Sequence, residues 1–229
     1  MKYHLGNLAY MECHEQCKSV ESVTAAVHFN EHKLKLIDSL VQEKKLKDNL
    51  YRNVVMHYLL KVKDSPESTL QFMSSFATYS PNNSHNKEIT SLYNDIKNLQ
   101  PNRPLPKLAL FNVNGRPTTL NEIANDGAAV FYFWTGARMS HLKKTLLQLE
   151  ILNKKFPHYT FVGINRDTDY NLWQKIISEE GMPRENQFRS EDFELLKNSL
   201  VIDHLNKGIV TNKGLIVNAF ADLYDLSID

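Results

Sequence analysis

The chain has 229 residues, 42% of them hydrophobic and 23% charged, a balance that suits a globular protein with one large core or two smaller ones and argues against disorder away from the ends. Lysine and arginine number 27 against 26 aspartate and glutamate, so the net charge is +1 and no bulk field draws in nucleic acid or an acidic membrane. No nucleic-acid partner is expected, and no apolar run approaches the roughly 18 to 20 residues that a transmembrane helix needs.

The opening residues, Met1-Lys2-Tyr3-His4-Leu5-Gly6, carry no basic segment followed by an apolar block of about 7 to 15 residues. The chain therefore reads as cytoplasmic, or as an envelope protein whose export signal was removed upstream. Cys13 and Cys17 are its two cysteines, too few for a disulfide scaffold. With His28 and His32 they give the spacing C-x3-C-x10-H-x3-H, a loose zinc pattern whose linker is shorter than the usual finger. The plainer reading is structural cysteines and surface histidines. Neither a metal nor any other cofactor is expected.

From about residue 20 to residue 100 apolar residues return every three or four positions. Leu34, Leu36, Ile37, Leu40 and Val41 make one stripe, and Leu46, Leu50, Val54, Val55, Tyr58 and Leu59 the next. Ser65-Pro66-Glu67-Ser68 reads as a helix start, with Leu70, Met73, Phe76 and Ala77 on the buried side. A further helix follows the loop Ser80–Ser84, with Ile89, Leu92, Tyr93, Ile96 and Leu99 facing inward. Pro101-Asn102-Arg103-Pro104-Leu105-Pro106 then interrupts regular structure, which sets the expected boundary between a helical region, 1–101, and a second domain, 102–229.

Beyond it the period becomes that of strands. Leu108–Val113 and Arg116–Thr119 flank Asn114-Gly115, which predicts a hairpin with a type I′ turn. A short helix follows over Leu120–Ala124. The apolar run Ala128–Phe133 predicts a central strand covered on both faces. Met139–Asn153 is then helical, Tyr159–Asn165 a second buried strand, and Tyr170–Glu179 and Glu191–Ser199 are helices. Gly208–Thr211 and Leu215–Phe220 form a terminal hairpin about Asn212-Lys213-Gly214. The alternation calls for a sheet with helices on both faces.

This order of elements resembles the thioredoxin-like superfamily, specifically the TlpA-type and peroxiredoxin-related bacterial envelope proteins. The likeness rests on Leu108–Gly115, Phe131-Tyr132-Phe133-Trp134, Phe161–Asp167 with Trp173, and Lys213–Val217, and covers about residues 104 to 224. It implies an α/β thioredoxin-like fold, a central mixed sheet flanked by helices and preceded by an α-helical N-terminal region. It also implies an envelope location.

In that family a Cys-x-x-Cys pair opens the helix after the central strand, and the first thiolate attacks a disulfide. Matched onto Phe133–His141, the two positions fall on Arg138 and His141, and neither side chain can do that chemistry. The family's cis-proline position matches Leu205, where a cis bond would cost about 2.5 to 4 kcal/mol. Residues 18 to 229 contain no cysteine.

The expected function is thus a redox-inactive binding or structural module for a protein or peptide partner, with no catalytic residues. Its candidate binding residues are Trp134 at the exposed end of the strand, Arg138, Ser140 and His141 at the helix start, and Leu205 opposite. Arg138 and His141 also suit an anion, because free N–H groups gather at a helix start. Asp167 and Asp169 read as helix caps rather than as a cation site. The alternative is a thiol-disulfide oxidoreductase or peroxidase relative that works through Cys13 and Cys17.

Overall fold

The computed structural model describes residues 7–9, 11, 23–62, 65–190 and 192–228. The chain divides into two compact units, Met1–Lys97 and Asn98–Asp229.

The first unit is helical. Its described helices are α1 (Val23–Leu40), α2 (Lys44–His57), α3 (Pro66–Tyr79) and α4 (Asn86–Asn98, whose last residue falls in the second unit), and a π-helical turn, Tyr58–Val62, extends α2. Glu43 caps α2 by accepting from Lys45 N at 2.8 Å and Leu46 N at 2.6 Å. Ser65 caps α3 by accepting from Ser68 N at 3.1 Å, with Pro66 just inside the first turn, as the sequence leads one to expect.

The buried face of α3 differs from the expected one. Phe72 and Phe76 are buried, Leu70 is 57% exposed, Ala77 is exposed and Met73 lies between. The aromatic pair at i, i+4 sets the helix rotation, because Phe72 meets the Tyr58 ring with centroids 4.0 Å apart and Phe76 meets Tyr51 edge-on at 6.4 Å. Val27, Leu34, Ile37, Val55 and Ile89 complete this core.

The second unit holds a seven-stranded sheet. Its strands are β1 (Ala109–Asn112), β2 (Pro117–Thr119), β3 (Ala128–Trp134), β4 (Thr160–Asn165), β5 (Gln187–Arg189), β6 (Lys207–Asn212) and β7 (Leu215–Asp222). Their spatial order is β2-β1-β5-β4-β3-β6-β7. β3 pairs in parallel with β4 and β4 with β5, whereas the β1–β2, β1–β5, β3–β6 and β6–β7 pairs are antiparallel.

Helices α5 (Leu120–Asn125), α6 (Met139–Lys155), α7 (Tyr170–Glu179) and α8 (Phe193–Ser199) connect these strands. Val130, Tyr132 and Trp134 share one face of β3 and pack with Leu142, Leu149 and Leu152 of α6 and Trp173, Ile176 and Ile177 of α7. Phe131 and Phe133 point to the opposite face, as the two-residue period requires, and are also fully buried. The mixed sheet with flanking helices, preceded by a helical region, is the expected fold class.

Three local differences have physical causes. The segment after Pro101 is an added sheet edge, since Asn102 N donates to Ile216 O and Ile216 N to Arg103 O, both at 2.8 Å. The 113–115 loop has positive φ only at Gly115, because Asn112 Oδ1 accepts from Asn114 N and Arg116 N at 3.0 Å and supports a three-residue loop. The two-residue turn with positive φ at both centres lies instead between β6 and β7, at Lys213 (50°) and Gly214 (80°). Strand β5 is an element beyond those expected.

Candidate functional site

Strand β3 ends at Trp134, and Thr135 leads into a 3-10 turn, Gly136–Arg138, that opens α6. This turn is bound to the loop after β4. Thr135 Oγ1 accepts from Ala137 N at 3.1 Å and donates to Asp167 Oδ1. Gly136 N donates to Thr168 Oγ1 at 2.7 Å, and Thr168 N donates to Asn165 Oδ1 at 2.9 Å. Asn165 Nδ2 returns a bond to Thr168 Oγ1 at 2.8 Å, and Arg166 N reaches Trp134 O at 2.8 Å. A Cβ on Gly136 would sit 2.8 Å from the Thr168 methyl, so glycine permits the close approach. Asp167 therefore anchors Thr135, and Asp169 caps α7 through Asn171 N and Leu172 N at 3.0 and 3.3 Å.

The expected site residues divide into two groups. Arg138 is the exposed N-cap of α6 and makes no side-chain capping bond, and Ser140 is exposed beside it. His141 is half-buried. Its Nε2 lies 2.8 Å from Asn206 Oδ1, and its Nδ1 lies 3.4 Å from the hydroxyl of Thr145, which is fully buried. Tyr224 OH lies 3.4 Å from the same Thr145 oxygen. His141 thus joins α6 to the loop of Leu205, bringing together two regions that the sequence reading set opposite each other.

Trp134 is a correction. Its ring is 0% exposed and its Nε1 donates to Gln187 Oε1 at 3.2 Å, so it belongs to the core. The strand end that was expected to be open is covered by the 165–168 loop. Gln187, itself fully buried, donates through Nε2 to Tyr132 OH at 3.1 Å. Burial raises the Tyr132 phenol to about 12, opposed by the Gln187 bond, so it stays neutral at working pH. Leu205 is a second correction, with only 7% of its surface exposed; the polar surface of this loop is carried by its neighbours. No cis peptide bond occurs among the described residues.

Several site residues were not foreseen. Thr145, Thr168 and Asn206 make contacts that shape the turn; Thr168 and Asn206 do so with partners distant in sequence, whereas Thr145 lies one helical turn after His141. Asn206 also lies next to the matched Leu205. Cys13 and Cys17 lie outside the described residues, and with them the zinc pattern and the second thiol reading. His28 and His32 lie on α1, and among the described residues no three His, Cys, Asp or Glu side chains are grouped to hold a metal.

No protein-family model and no curated protein sequence matches the chain. Among solved structures it is similar to a thioredoxin-like protein from Bacteroides caccae, at 14% identity and a TM-score of 0.57, over 88% of this chain and 74% of that one. It is also similar to the thioredoxin domain of a thiol-disulfide oxidoreductase from Bacteroides vulgatus, at 22% identity and a TM-score of 0.44, over 56% of this chain and 94% of that one. The fold is thioredoxin-like. Within that fold Arg138 and His141 stand at the start of the helix that follows the central strand.

Proposed function

We propose that the second unit is a redox-inactive thioredoxin-like module of the bacterial envelope that binds a protein or peptide partner. The observation that carries this reading is the position of Arg138 and His141. Thiol exchange needs an exposed thiolate at the start of the helix and a second sulfur to resolve the mixed disulfide. Here the first position holds an exposed guanidinium, and the second holds an imidazole engaged with Asn206 and Thr145.

The binding edge in this reading consists of Arg138, Ser140 and the polar rim of the 203–206 loop. An exposed arginine at a helix N-terminus favours carbonyl or carboxylate groups of a peptide, through its forked donors and the helix dipole. The envelope location follows from the likeness to TlpA-type proteins. No helix among the described residues is long and apolar enough to cross a membrane.

An insulin-reduction assay and a peroxide-consumption assay on the full chain test this reading. It predicts rates no higher than those of the reductant alone. Activity that disappears in Cys13→Ala would assign the chain to the oxidoreductase class instead.

A further inference from the structure

The loop that carries Leu205 and Asn206 leaves α8 through an unusual cap. Val201 N donates to Asn198 O at 3.0 Å and Ile202 N donates to Lys197 O at 2.8 Å. This pair of bonds defines a Schellman ending, in which the left-handed position normally belongs to glycine. Here it belongs to Val201, with φ at 49°. A β-branched residue is crowded in that conformation, because its Cβ approaches the following carbonyl.

The carbonyl of this residue is the meeting point of two further bonds. Asp203 N donates to Val201 O at 3.1 Å, and so does Lys207 Nζ at 3.1 Å. Lys207 is only 1% exposed, and its ammonium lies 4.0 Å from the centre of the Phe220 ring. Burying a cation is unfavourable unless it is well engaged, and a charged donor in a dry site makes a stronger bond than a neutral one. A glycine at 201 would form the same cap without crowding, and a methionine at 207 would fill the same space without a charge. The chain has neither, and the crowded cap and the buried ammonium converge on one oxygen.

The loop between these residues is the one that meets α6. Asn206, next to Lys207, presents Oδ1 to His141 Nε2 at 2.8 Å and accepts from Leu223 N at 2.9 Å through its carbonyl. We propose that Lys207 is a positioning residue, whose buried ammonium holds the strained Val201 cap and through it fixes the 203–206 loop against the Arg138–His141 turn. This holds whether or not the Arg138 edge binds a partner.

Amide hydrogen exchange of the full chain, read by NMR at single residues, tests the proposal. In Lys207→Met the Asp203 and Leu223 amides, whose acceptors are the carbonyls of Val201 and Asn206, exchange at least about tenfold faster, as loss of a charged hydrogen bond predicts. The His141 ring resonances move toward their positions in Asn206→Ala, and the Val162 amide in the sheet centre is unchanged. In a Val201→Gly background, where the cap is no longer crowded, the same lysine substitution accelerates these amides less than about threefold, because the two sites are coupled.

Exchange in Lys207→Met within about twofold of wild type at Asp203 and Leu223 overturns the proposal, as does an equal rise at Val162, which is what general loosening of the core produces. If Lys207→Met does not fold, Lys207→Gln decides. It keeps a donor and loses the charge, and it must accelerate the same two amides selectively or the proposal fails.

Discussion

His141 Nε2 and Asn206 Oδ1 stand 2.8 Å apart, although 65 residues separate them in the chain. This bond ties the start of α6 to the loop before β6. Replacing Asn206 with alanine removes the acceptor and leaves a half-buried imidazole nitrogen without its neighbour. The expected loss is about 1 kcal/mol, the usual net worth of such a bond. Urea unfolding of the full chain, following tryptophan fluorescence, measures it, and an unchanged midpoint shows that the bond is not formed.

Gln187 on β5 reaches across β4 to two residues of β3, Trp134 and Tyr132. Gln187→Leu leaves the indole N–H and the phenol in a dry core, so stability falls by about 1 to 3 kcal/mol. Gly163→Ala acts at the same place, because an added Cβ would sit 2.2 Å from Gln187 Oε1 and 2.7 Å from Tyr132 OH. Overpacking of this kind costs about 1 to 3 kcal/mol. Thermal unfolding of both variants is the check, and neutrality of either contradicts the close-packed network.

Gly214 carries the hairpin between β6 and β7 with φ at 80°, and a Cβ there would meet Asn125 Oδ1 at 2.0 Å. Gly214→Ala therefore suffers both backbone strain and a collision, and loses about 1 to 3 kcal/mol. Gly115 has φ at 72° and open space around its Cβ position, so Gly115→Ala is the milder of the pair. Comparing their urea midpoints tests the order.

The helical unit should weaken in acid. Asp48 is buried, which alone would raise its pKa, but bonds from Lys44 Nζ at 2.9 Å and Ser84 N at 3.2 Å outweigh this and hold it below its ordinary 3.8. The Arg52 guanidinium likewise holds Glu88 below 4.5, with burial opposing. Both folded-state values lie below the unfolded ones, so the unfolded chain takes up protons first. The stabilisation is complete above the unfolded pKa values and is lost as pH falls through the folded ones, with the decline setting in below about pH 4.5. Helical circular dichroism during thermal unfolding from pH 7 downward reads this, and Asp48→Asn flattens the decline.

Local period makes the helices and the apolar strands legible in the sequence, whereas the form of the Asn114-Gly115 turn and the contacts between distant residues are not. The bounds Tyr170–Glu179 are legible as α7, and β3 is legible from its unbroken apolar run. Strand β5 was not, because it is three residues long and its fully buried first residue is a glutamine. That same glutamine is the partner of Trp134, so the short length and polar first residue that hide β5 in the sequence also hide the burial of the tryptophan. The α3 face was rotated because aromatic stacking across helices outweighed the stripe of Leu70 and Ala77. At the site, Arg138 and His141 are singled out by their matched positions, whereas the Asn206 contact, 65 residues from His141, exists only in the folded chain.

The proposed redox inactivity rests on Arg138 and His141 standing where thiol exchange would need sulfur. Its most direct test is the initial rate of insulin-disulfide reduction by the wild-type chain, measured beside Arg138→Cys/His141→Cys. A redox-inactive module gives a wild-type rate equal to the reductant background and a higher rate in the double variant, whose two thiols would stand at the start of α6. A wild-type rate above background contradicts it.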